Sequence, residues 1–237
     1  VTADRASRSG EVEAVPLSAN EQILHQLREA LASGAFTPGQ KIKIRDVAAA
    51  YGTSMTPVRA ALSRLVEQGA LEDDGGKSLR VPLMTLDRWH EILDMRIALE
   101  GLAIERAASR IDAAALAELR HLAGELAAAR RAGDVERDRT LIARFQLGAY
   151  SASGAPLLVT TIERFWLLTG PYLNLIFPDY VQTVPHGWRE RLCDMLQAGE
   201  AAAARAEIER DLRDARDHVA GLADPDGLIR LKRATPG

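Results

Sequence analysis

Cysteine is almost missing: of 237 residues only Cys193 carries a thiol. An intramolecular disulfide and a cysteine-rich zinc site are therefore both excluded. Aromatic residues make up only 5% of the chain, and no apolar run approaches the roughly 20 residues that cross a bilayer. No basic-then-apolar leader opens the sequence, so a cytoplasmic protein with no membrane partner is expected. Signatures of catalysis are missing as well. There is no Gly-x-Ser-x-Gly elbow, no phosphate-binding glycine loop, no His-Glu-x-x-His and no paired Glu-x-x-His. An enzyme would have to work with scattered residues of no recognisable spacing. What is present, 47% hydrophobic and 27% charged residues, is the make-up of a globular chain long enough for two modest domains.

The net charge of −3 conceals a basic segment. Between residues 37 and 65 stand Lys41, Lys43, Arg45, Arg59 and Arg64 against a single acid, Asp46. A local basic surface is what phosphate contact needs, whatever the rest of the chain carries; an ordinary solvated basic face is the alternative. Residues 1–16 are poor in apolar side chains and read as a disordered tail. Ser18 and Glu21 have capping-box spacing ahead of Ile23, Leu24, Leu27 and Leu31, and Gly34 stops that helix. A short helix over 44–50 and a turn at Gly52 precede the run Ser54-Met55-Thr56-Pro57-Val58-Arg59. There Thr56 is expected as the cap and Pro57 as the first helical residue. Val58, Leu62, Leu65 and Val66 give this helix an apolar underside, and Gly69 ends it. It has the make-up of a recognition helix, the element that a helix-turn-helix lays into the major groove. Two short strands around Asp73-Asp74-Gly75-Gly76 follow as a hairpin wing. There Lys77 and Arg80 either reach phosphate or simply complete a small structural ribbon.

Residues 31–81, with Gly34, Pro38-Gly39, the 44–51 helix, Ser54 to Arg59 and Gly69, resemble the DNA-binding domain of the GntR family of bacterial transcription regulators. The resemblance implies a homodimer on an inverted-repeat operator of double-stranded DNA. It also implies that Arg45, Arg59 and the wing glycines Gly75 and Gly76 contact DNA, and that Ser54 and Thr56 hold phosphate. The family carries arginine where this chain has Met55, which implies a different operator preference.

From Leu86 onward helical periodicity replaces alternation, with helices expected over 86–108, 113–132, 135–151, 157–168, 188–198 and 201–222. The fold class is mainly α: a winged helix-turn-helix over 17–84, an all-helical antiparallel bundle over 85–224, and a loose tail over 225–237. The bundle, with Asp94 to Glu100 followed by Ala107-Ala108, resembles the FadR-type C-terminal domain, which implies effector binding and dimerisation. Many such domains hold a divalent metal through an aspartate and three histidines. Matching Phe145-Gln146 and the Ala198-Gly199-Glu200 turn to the family puts Ile142, Gln146, Arg189 and Asp211 at those positions. No metal site and no cofactor are therefore expected.

Gln146 and Arg189 instead suit an anionic or polar effector such as an organic acid, although Asp211 could equally answer Arg189 as a salt bridge. Arg96 shares the inward face of its helix with Trp89 and Leu93. It either pairs with Glu100 one turn on or meets an effector carboxylate, and the two can coexist. His218 with Asp214, His121 with Glu125 and the loop residue His186 read as ordinary polar residues. The function expected is a DNA-binding regulator answering to a small effector, with a bundle that only dimerises as the alternative.

Overall fold

The computed structural model describes residues 18–75, 78–176 and 187–229. The N-terminal unit opens with helix α1 (Ala19–Ala32), held by a reciprocal capping box. The Ser18 hydroxyl accepts from the Glu21 amide at 3.3 Å, and the Glu21 carboxylate accepts from the Ser18 amide at 2.9 Å. Strand β1 (Lys41–Lys43) leads into α2 (Ile44–Ala50) and then α3 (Met55–Glu67). Strands β2 (Glu72–Asp73) and β3 (Ser78–Arg80) form the wing hairpin. The antiparallel sheet has the order β1-β3-β2, with Ile42 opposite Leu79. Its core joins Leu27 and Leu31 of α1 to Val58, Leu62 and Leu65 of α3, so the recognition helix is fixed by its apolar side while its other side faces solvent.

The start of α3 differs from expectation. Ser54, not Thr56, is the cap residue, and its side chain makes no capping bond. Pro57 is therefore third in the helix, where its missing N–H costs nothing because first-turn amides have no intrahelical acceptor.

Strand β4 (Met84–Thr85) enters the second unit: α4 (Leu86–Ala107), α5 (Ala113–Ala132), α6 (Val135–Ser151) and α7 (Pro156–Thr169). After a 3-10 turn (Gly170–Tyr172) come α8 (Leu173–Ile176), α9 (Trp188–Ala198), α10 (Ala201–Ala220) and β5 (Leu228–Ile229). The pairs α4 with α10 and α5 with α6 run antiparallel. Along α4 and α10, Asp94 meets Arg216 and Glu105 meets Arg205. Along α5 and α6, Arg130 meets Asp138 and Glu118 meets Arg144. Among the described residues no helix is long and apolar enough to cross a membrane.

A further correction concerns the end of the bundle. Residues 228–229, expected in a loose tail, instead pair with β4, Met84 opposite Ile229. The driving force is apolar: Ile229 is buried with Trp89, Leu93 and Val219 at the junction of the two units. The units also interlock. Leu167 of α7 belongs to the N-terminal core, and Ala32 of α1 belongs to the bundle core.

Candidate functional site

Two surfaces deserve chemical description, one on each unit. On the first, Ser54, Met55, Thr56 and Arg59 are exposed at the start of α3, and Arg45 is exposed at the start of α2. Met55, at the first helical position, is 53% exposed, unusual for a large apolar side chain. Arg45 pairs with its neighbour Asp46, a solvent-facing pair of little energetic weight. Gly75 takes φ +91° at the tip of the wing, a conformation glycine adopts without steric cost. Gly76 and Lys77 lie outside the described residues. Arg80 is not free as the sequence suggested. It and Lys41 both pair with Asp74, Lys41 at 2.7 Å, and these two hydrogen-bonded cations hold the Asp74 carboxyl down at about 2.

The second surface is internal. A cavity of about 60 Å³ lies inside the bundle, and Arg96, Gln146, Arg189 and Asp211 all line it. They come from α4, α6, α9 and α10, so residues up to 115 positions apart in sequence converge on one space. Trp89, Trp166, Tyr172 and Leu212 provide apolar wall around them.

Arg96 has its charge answered. Its Nε donates to Glu100 Oε1 at 2.6 Å, its Nη1 donates to Thr169 Oγ1 at 2.9 Å, and its guanidinium carbon lies 4.5 Å from the Trp166 ring centre. Glu100 is fully buried and also accepts from Trp166 Nε1 at 3.2 Å and from the Tyr150 hydroxyl. A buried carboxylate with this many donors is fully compensated. Arg96 is thus part of an internal ion pair and of the cavity wall at once.

Arg130, which sequence reading passed over, lines the cavity too, and its Nε donates to Asp138 at 3.0 Å. Thr169 and Trp166 were equally unmarked. Single residues near the ends of α5 and α7 carry no pattern that would single them out.

Arg189 is the exception among the cavity arginines. It is only 6% exposed, its Nε has no hydrogen-bond partner, and among the described residues no carboxylate pairs with it. Its guanidinium stacks 4.3 Å from the Trp188 ring centre and 5.7 Å from that of Phe145. Burial pushes it down to about 10, which leaves it charged near neutral pH. The salt bridge to Asp211 weighed from the sequence does not form. Asp211 instead accepts a long bond, 3.5 Å, from Gln146 Nε2, and burial raises its carboxyl above the ordinary carboxylate range. The four residues at the family's metal positions do not fit a divalent cation. Ile142 has no donor atom, and Arg189 brings a positive charge into the same lining. At the bundle surface Glu125 pairs with Arg137, and His186 lies outside the described residues.

Comparison with known proteins agrees with this division. Residues 91–214 match the FCD domain, and residues 19–81 match the bacterial regulatory proteins of the gntR family. The chain is 33% identical over 156 residues to the HTH-type transcriptional regulator McbR of Escherichia coli K12, covering 66% of this chain and 71% of that protein. An uncharacterised HTH-type regulator of Bacillus subtilis, YdhC, is 33% identical over 84 residues, 35% of this chain and 38% of its own. The solved structure of E. coli McbR/YncC superposes with a TM-score of 0.75 at 28% identity, covering 84% of this chain and 95% of that one. A GntR regulator from Rhodococcus sp. RHA1, at 21% identity, shares the fold with a TM-score of 0.70 over 86% of this chain and 99% of its own. The two family matches and the identity to McbR place the chain in the GntR family, whose members are DNA-binding transcription regulators and not enzymes.

Proposed function

We propose that the protein binds an inverted-repeat operator as a homodimer in the cytoplasm, and that a small anionic effector, an organic acid, enters the bundle cavity and changes operator affinity. On the DNA side, Arg45, Arg59, Ser54, Thr56 and the wing glycines Gly75 and Gly76 with Lys77 supply backbone contacts, while Met55 lies against base edges. On the effector side, one observation carries the reading: Arg189 is buried, its Nε has no hydrogen-bond partner, and among the described residues no carboxylate pairs with it. A buried cation without a counter-charge is costly, and an incoming carboxylate supplies that charge together with two acceptor oxygens. Arg96 and Arg130 already have theirs in Glu100 and Asp138. Arg189 is thus the cavity arginine with no hydrogen-bonded carboxylate, which suits a monoanion; Asp211, whose charge acts on Arg189 from the same lining without pairing with it, and Gln146 are further polar groups there.

The test is calorimetric titration of the dimer with acetate, benzoate, citrate and zinc, beside operator binding on a duplex selected from random sequence. Expected is binding of a monocarboxylate that is lost in Arg189→Met and kept in Arg189→Lys at reduced affinity. Zinc is expected to leave the protein unchanged. Carboxylate binding that survives Arg189→Met, or stabilisation by zinc, overturns the effector reading. Wild-type and Arg59→Ala proteins with equal affinities and equal salt slopes on the selected duplex overturn the DNA surface.

A further inference from the structure

The cavity and the DNA-binding unit share a wall. Residues 169–176 present Thr169, Tyr172, Leu173 and Ile176 to the cavity. The same residues seat the N-terminal unit on their other side. Asn174 Nδ2 reaches Gly34 O at 2.9 Å and Phe36 O at 3.1 Å, both just past the end of α1, and Pro171 O at 2.8 Å. Arg139 of α6 donates to Asn174 Oδ1 and so orients the amide from the bundle side. The Tyr172 hydroxyl donates to Pro82 O, at 3.3 Å, on the way out of the wing.

Backbones at this seat touch. A Cβ on Gly170 would stand 2.2 Å from Leu31 O and 2.6 Å from Ala32 O, and one on Gly34 would stand 2.9 Å from Gly170 O. Leu167, a few residues earlier, is buried in the core under the recognition helix. A close-packed contact of this kind passes a displacement on, because there is no slack space in which to absorb it. On the cavity side the segment is held by the bond from Arg96 to Thr169, whose hydroxyl in turn donates to Phe165 O at 2.9 Å.

We infer that residues 169–176 are the coupling element of this regulator: occupation of the cavity displaces Leu173 and Thr169, and the Asn174 clamp carries that displacement to the end of α1 and so to the setting of the recognition helix. The inference rests on the effector reading for its natural input, but its geometry can be tested without any ligand. Ala215 of α10 lines the cavity, and leucine there acts as a tethered occupant of a space of about 60 Å³. Coupling requires that such an occupant favour one arrangement of the seat over the other.

The experiment is a double-mutant cycle of Ala215→Leu and Asn174→Ala in the full-length protein. It is read by amide hydrogen exchange over residues 33–40 and by affinity for the selected operator. Ala215→Leu is expected to change exchange over 33–40 by about tenfold and operator affinity by about three- to tenfold. Both changes should vanish in the Asn174→Ala background. Thr169→Val, similar in shape but unable to accept from Arg96, serves as the second cavity-side probe should the leucine variant not fold.

Changes confined to the bundle, or equal changes with and without Asn174, overturn the coupling role. A protein that binds no carboxylate yet shows the coupled response loses the effector reading and keeps this one.

Discussion

At Met55 and Asp211 the side-chain chemistry makes a prediction that a single substitution can test. A methionine at the tip of a recognition helix can donate no hydrogen bond to a guanine edge, but its side chain can pack on the C5 methyl of thymine. Single thymine-to-deoxyuridine changes in the selected operator remove only that methyl. Expected is an affinity loss of about three- to tenfold at one thymine per half-site, absent in Met55→Ala. A loss of equal size in both proteins assigns the methyl to another side chain. At Asp211 the determinant is burial. Its carboxyl is raised above the unfolded value of 3.8, so the stability it contributes is full below that value and lost as pH rises through the folded one. Asp211→Asn removes this penalty while leaving an acceptor for Gln146. The variant is expected to exceed the wild type in urea midpoint near about pH 7.5 and to converge on it only as the pH falls below the unfolded value of 3.8. Equal midpoints at the higher pH would show that Arg189 already offsets the buried charge.

The wing shows how an element can carry cations without offering them. Lys41 of β1 and Arg80 of β3 flank Asp74, which also accepts from the Ser78 hydroxyl at 3.3 Å, so the turn is tied together by its own acid. Asp74→Asn keeps an oxygen for Ser78 and removes one negative charge beside two positive ones. Fluorescence anisotropy on a non-specific duplex is expected to show tighter binding with a steeper salt dependence, the slope rising by about one unit. An unchanged slope means that the two cations lie out of reach of the phosphates.

This detail was not legible in the sequence, because Asp74 stands amid turn residues whose side-chain partners depend on strand register. The elements themselves were legible. The periodic runs over 113–132, 135–151 and 188–198 fold as helices with those bounds, because each begins and ends at a break such as Asp112, Gly133 or Gly199. The start of α3 is not legible because Thr56 and Pro57 are both good starting residues, while Ser54, the cap observed, makes no side-chain bond that would mark it. Strand β5 was missed because two residues carry no period. In the cavity, the family alignment picked out Gln146, Arg189 and Asp211. Arg130 and Thr169 needed the fold, since nothing in sequence relates the end of α5 to the end of α7.

At the scale of the whole molecule the two units are not independent bodies joined by a linker. Leu167, 3% exposed, lies in the N-terminal core although it belongs to α7, and β4 leaves the wing only to pair with β5 beyond the last helix. The DNA-binding unit therefore borrows part of its core from the bundle, and a fragment ending near residue 85 lacks both Leu167 and the partner of β4. Cutting a leucine of this burial back to alanine costs about 2–5 kcal/mol, a large share of what a unit of this size has to lose. Leu167→Ala in the full chain is thus expected to weaken amide protection in α1 and α3 by at least tenfold, although neither helix is altered in sequence. The isolated fragment is expected to melt well below the full chain. If the fragment melts with the full chain and Leu167→Ala leaves α1 and α3 protected, the two units are energetically separate. Any coupling between cavity and operator would then have to run between protomers instead of through the seat at residues 169–176.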